Sequence, residues 1–153
     1  MEDLFVLLIG LIMFFLGQTI QAFVVSALIG ILSRWLHSKQ QILKAEHLLG
    51  RFIILSVTLF FLFINSLFQI GIWAAVFVLI GQFESYRTAF YHSAVNFATL
   101  GYGDMVMDDP WRMLGALEAI SGVLMLGLST ATLSSVFGKL LQLHRQGRHH
   151  RSR

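Results

Sequence analysis

Three long apolar stretches dominate the chain. Leu4 to Leu32 and Phe52 to Phe83 carry no charged side chain, and Trp111 to Phe137 carries only Arg112 near its start and Glu118 within it. At about 1.5 Å per residue, roughly 20 apolar residues cross the hydrocarbon of a bilayer as a helix. All three stretches are longer, so the pattern predicts three membrane-spanning helices. A fourth segment, Thr88 to Ala98, is too short to cross as a helix. Ser85 or Thr88 stands where a cap would start it, and Gly101 and Gly103 follow where it would stop. The pattern therefore predicts a helix that enters, ends and returns as extended chain. Such backbone is tolerated at membrane depth only where protein covers it or water lines it.

Polar residues inside the spans favour protein neighbours over lipid. Gln18 and Gln21 interrupt the first span. Asn65 and Gln69, four apart, share one face of the second. Gly115, Gly122 and Gly127, with Ser121, Ser129, Thr130 and Thr132, make the third span the one best suited to close helix contact. The acidic Met1-Glu2-Asp3 start and the length of the first stretch fit a membrane helix better than a secretory signal.

Composition agrees with lipid as solvent. The 153 residues are 56% hydrophobic, with a mean hydropathy of +0.74, more apolar surface than a soluble domain of this length can hide. There is no cysteine, which excludes a disulfide framework and a thiolate metal site, and the one proline, Pro110, marks no linker. The net charge is +3, but its placement says more. Arg34, Lys39, Lys44 and Arg51 between the first two spans, with Lys139, Arg145, Arg148, Arg151 and Arg153 in the tail, are nine of the eleven lysines and arginines. The positive-inside rule then predicts an outer N-terminus and a cytoplasmic C-terminus in a multi-pass protein of the plasma or inner membrane. This parity holds only if Thr88 to Ala98 does not cross. The connector, Ser33 to Gly50, spaces Trp35, Leu36, Ile42, Leu43 and Leu49 for an amphipathic helix lying in the inner interface, with Trp35 as anchor. The expected organisation is an extra N-terminal helix and connector (1–51), a central module (52–138) and a basic tail (139–153). Anionic lipids are expected partners of Arg34, Lys39, Lys44, Arg51 and the tail; nucleic acid is not, since the orientation rule already accounts for the basic residues.

Candidate chemistry sits in Thr99-Leu100-Gly101-Tyr102-Gly103-Asp104. An ion crossing a bilayer must exchange water for protein ligands, and stacked backbone carbonyls supply them without net charge. Gly101 and Gly103 permit the unusual dihedrals this needs. Thr99 can add a hydroxyl, Tyr102 can point outward and brace the strand, and Asp104 at the outer mouth can draw cations. One loop cannot surround an ion, so a pore requires three further copies of the chain. No nucleophile constellation or phosphate-cradling glycine pattern accompanies these residues, so no enzyme is expected.

In this setting the string resembles the selectivity filter of potassium channels built on the two-helix pore module, particularly small prokaryotic ones, over roughly Phe52 to Phe137. The resemblance implies an all-α integral membrane fold: three transmembrane helices, a re-entrant pore helix and an extended filter in a homotetramer. It implies passive, selective potassium transport, with the carbonyls of Thr99, Leu100, Gly101 and Tyr102, followed by Gly103, binding permeant K⁺. No other metal or cofactor is implied. It makes Trp111 to Phe137 the pore-lining helix, with Gly122 or, as alternative, Gly127 as gating hinge.

The sequence departs from the family pattern at several positions. Leu100 stands for the commoner valine, and Ala98 where a second threonine is usual. Positions that brace the filter in the family carry Tyr91, His92, Val95 and Asn96; Tyr91 is placed to reach Asp104, and His92 or Asn96 to reach the Tyr102 hydroxyl, whereas Val95 cannot replace a carboxylate. Glu118 is expected either to brace the pore helix or sense protons, or to hydrogen-bond between subunits. The first span lacks the repeated cations of a voltage sensor. His144, His149 and His150 in the tail are expected to be solvated. A weakly selective cation channel, and a non-conducting accessory subunit of another channel, are the alternatives.

Overall fold

The computed structural model describes residues 2–38 and 48–151. Its elements are four helices: α1 (Glu2–Ser38), α2 (Leu48–Leu79), α3 (Tyr86–Phe97) and α4 (Arg112–Arg151). Within α1, α2 and α4, residues Glu2–Arg34, Phe52–Leu79 and Arg112–Gln142 are long and apolar enough to cross a membrane. The protein is thus an all-α, multi-pass membrane protein. Helix is the form these segments must take, because lipid offers no partner to an open N–H or C=O.

Three helix C-terminal ends differ from expectation for local reasons. α2 stops at Leu79, short of Phe83, because Gly81 adopts φ +75°. Its N–H bonds the Val78 carbonyl at 3.0 Å and the Gln82 N–H bonds Phe77 at 3.0 Å, the paired bonds of a Schellman cap. α1 and α4 instead overrun the expected spans, to Ser38 and Arg151. Neither extension meets a proline, and basic residues near a helix C-terminus complement its dipole. Residues 33–38 therefore continue α1 rather than open a separate interfacial helix. The centre of that expected helix, with Lys39 and Lys44, lies outside the described residues.

The helices pack by their polar and small positions. α1 lies against α4 and touches α2; α3 is wedged between α2 and α4. The polar side chains of the first two spans form the seam. Asn65 Nδ2 donates to Gln21 Oε1, Gln21 Nε2 reaches Ser129 Oγ at 3.4 Å, and Gln69 Nε2 donates to the Gly17 carbonyl at 2.9 Å. Near the opposite end of α1, Lys139 of α4 donates to Ser33 at 3.0 Å. The largest apolar core joins all four helices: Val6 and Met13 of α1, Trp73 and Phe77 of α2, Ala89 of α3 and Leu114 of α4, with Met107 from the loop. Towards the basic ends of α1 and α2, Ala27, Ile31, Ile53 and Val57 help line an almost wholly apolar crevice of about 410 Å³.

Candidate functional site

The site begins at the Ser85 cap. Ser85 has extended backbone (φ −121°, ψ 140°), and its hydroxyl accepts from the Thr88 N–H at 3.2 Å, which starts α3. α3 ends as α2 does. The Thr99 N–H bonds the Asn96 carbonyl at 2.8 Å and the Leu100 N–H bonds Val95 at 2.9 Å, again a Schellman pair. Here the left-handed residue is Thr99, at φ 58°, the only non-glycine residue described with positive φ. A β-branched side chain in that region costs about 1–2 kcal/mol. Gly101 (φ 57°) and Gly103 (φ 73°) follow in the same region, so the sign of φ alternates residue by residue from Thr99 to Gly103.

This loop is uncovered. Residues 98–106 are all exposed, with Leu100 at 55% and Tyr102 at 65%. Its far end is tied down: the Asp108 N–H donates to Gln82 Oε1 at 2.9 Å, and Arg112 Nε donates to the Met107 carbonyl at 2.9 Å. The loop then turns into α4 through a cis Asp109–Pro110 bond.

Behind the loop, Tyr91 donates to Asp104 Oδ2 at 2.9 Å. That bond, with partial burial and the carboxylate charge adding to it, raises the Tyr91 phenol above its ordinary value. His92 is buried, with Phe83 and Phe77 ring centroids 4.8 and 5.6 Å away, and its Nε2 lies 2.9 Å from Asn96 Nδ2. Burial lowers its pKa, opposed by the Met105 carbonyl and the Asp104 charge. The neutral imidazole thus accepts from Asn96. Neither His92 nor Asn96 bonds the Tyr102 hydroxyl, which has no partner among the described residues. His92 and Asn96 are instead partners of each other.

On the opposite flank, Glu118 is fully buried and contacts the Ser93 hydroxyl of the same chain. Ser93 had no signal in the sequence beyond its place on the short segment, because its buried carboxylate partner lies 25 positions along the chain. Gly122 lies directly against the Phe97 carbonyl: an added Cβ would meet the oxygen and sit 2.9 Å from the carbonyl carbon. Gly127 has open space around it. Among the described residues no group of three or more His, Asp or Glu side chains is placed to hold a metal ion.

Three long apolar helices thus surround a short capped helix and an exposed glycine loop. Residues 67–139 match the family described as "Ion channel". Over 114 residues the chain is 33% identical to potassium voltage-gated channel subfamily A member 2 of Oncorhynchus mykiss; the match takes in 72% of this chain and 23% of the relative. No solved structure matches significantly. The chain is thus a multi-pass membrane protein similar to ion channels over its second, third and fourth helices, and it spans about a quarter of the length of the curated relative it matches.

Proposed function

We propose that four copies of this chain form a potassium-selective pore, with Thr99 to Gly103 as its filter. The observation that carries this is the alternating sign of φ at Thr99, Gly101 and Gly103 directly after a short capped helix. Alternating backbone handedness aligns successive peptide dipoles; in backbone nests the N–H side so formed holds anions, and the other side presents the carbonyls. Carbonyls so aligned can replace the hydration shell of K⁺ once the ring is closed by further copies.

In this assignment α3 is the pore helix, α2 the outer helix and α4 the inner helix of a module over residues 52–138. The carbonyls of Thr99, Leu100, Gly101 and Tyr102 bind K⁺, and Asp104, held by Tyr91, faces the outer mouth. The extra N-terminal helix and the connector, residues 1–51, stand outside the module. The charge distribution supports an outer N-terminus and a cytoplasmic basic tail, where Arg34 and its neighbours meet anionic lipid. A weakly selective cation channel is the competing function, favoured by Val95, which cannot replace a bracing carboxylate.

Reconstitution in vesicles separates the two. The unaltered chain is expected to pass K⁺ well over Na⁺, and Gly101→Ala and Tyr102→Ala to reduce that ratio by about an order of magnitude, the cost of about 1.4 kcal/mol in relative site energy. An equal K⁺ and Na⁺ flux from the unaltered chain selects the weakly selective channel. No flux from a verified tetramer overturns both.

A further inference from the structure

Glu118 and Ser93 stand apart from the loop, yet tie three helices together. Ser93 of α3 is completely buried, and its hydroxyl oxygen has two oxygen neighbours: the Ile70 carbonyl of α2 at 2.9 Å and Glu118 Oε1 of α4. A serine hydroxyl has one proton to give, and a carbonyl oxygen has none. Two close oxygen contacts around one hydroxyl balance only if the second proton sits on Glu118. A Glu118 anion would compete with the Ile70 carbonyl for the same proton. It would also be an isolated charge inside the membrane span, which is costly. Among the described residues no cation pairs with it. The polar groups turned toward it are Ser93 and Asn96 of α3, neither of which titrates. Its Oε2 accepts no well-formed hydrogen bond, which leaves nothing to hold a full negative charge.

The placement of this contact gives it a use. Ser93 and Phe97 are one turn apart on α3, and Glu118 and Gly122 are one turn apart on α4. The Glu118–Ser93 contact and the Gly122–Phe97 contact are thus successive rungs between the same two helices. Thr99 begins two residues beyond the lower rung.

We propose that Glu118 is a neutral carboxylic acid donating to Ser93, and that this bond is a positioning contact setting how α3, and the loop it launches, sits against α4. The serine then passes its own proton to the Ile70 carbonyl, so a chain of two hydrogen bonds runs from α4 through α3 to α2. The protonation stands on hydrogen-bond counting alone; the positioning of a filter rests on the pore proposed above.

Infrared spectroscopy of the full chain in vesicles tests the first part. A protonated-carboxyl band is expected at neutral pH that is absent in Glu118→Gln and moves to higher frequency in Ser93→Ala, where its acceptor is gone. The lack of a Glu118-dependent band in the unaltered protein overturns the proposal. Ion flux tests the second part. The glutamine amide can donate the same bond, so Glu118→Gln is expected to keep the K⁺/Na⁺ ratio within about twofold, whereas Glu118→Leu and Ser93→Ala are expected to lower it about tenfold. If Glu118→Gln fails as severely as Glu118→Leu, the neutral-donor role is overturned. Vesicles that show the band but conduct no K⁺ overturn the pore and leave the proton on Glu118.

Discussion

Thr99 occupies the place in a helix cap where α2, with the same bond pattern, uses Gly81. A glycine there would relieve the left-handed strain at some entropic cost, for a net gain of about 1 kcal/mol or less. A threonine held at a worse position fits a hydroxyl needed for something other than folding. Thr99→Gly is accordingly expected to raise the thermal midpoint slightly while lowering K⁺ selectivity; a variant equally selective would remove any role for the hydroxyl. Gly122 makes the opposite case. Its Cα faces the Phe97 carbonyl, so Gly122→Ala must push two helices apart, at about 1–3 kcal/mol. Gly127→Ala meets open space and is expected to leave stability unchanged within about 0.5 kcal/mol. Thermal denaturation of both variants, read by loss of the assembled peak, checks the contrast. A bend in α4 is accordingly freer at Gly127 than at Gly122, where the sequence favoured it. Gly101 and Gly103 were legible because glycine spacing betrays backbone conformation. Ser93 was not, since its importance comes from a partner 25 positions along the chain.

At the scale of elements, the spans were legible from charge-free length, and their ends were less so. A hydropathy boundary says where lipid stops, whereas a helix stops where its caps are. Gly81 cut α2 back, and α4 ran on through the tail. The polar residues of the spans were legible as seeking neighbours, but which neighbour depended on packing. Gln21 joins α1 to both Asn65 of α2 and Ser129 of α4 and is almost fully buried. Replacing it with leucine strands the Asn65 amide. Interhelical hydrogen bonds in membranes average about 0.6 kcal/mol and reach about 1.7, so Gln21→Leu is expected to cost about 1–2 kcal/mol, measured as reduced resistance to denaturing detergent. A variant as resistant as the unaltered chain would make the seam incidental.

For the whole molecule, charge asymmetry predicted an even number of crossings between the two basic zones; two helices of spanning length, with the short α3 between them, stand there. The place of α1, against α4 as well as α2, could not be read from sequence, because apolar surface alone has no address in lipid. The uncovered stretch from Ala98 to Val106 has a further consequence. Beyond the cap bonds of Ala98, Thr99 and Leu100 and the Met105 carbonyl facing His92, its backbone groups have neither a helix ladder nor a protein wall, and lipid cannot serve them. With the tetramer proposed above, a solitary chain in a bilayer is an unfinished solvation problem, and folding and assembly become one equilibrium governed by how many chains share a given area of membrane. Diluting the protein with lipid is expected to lower its apparent stability continuously, with protease cutting first between Ala98 and Val106, whereas a self-sufficient monomer would be indifferent to the amount of bilayer around it.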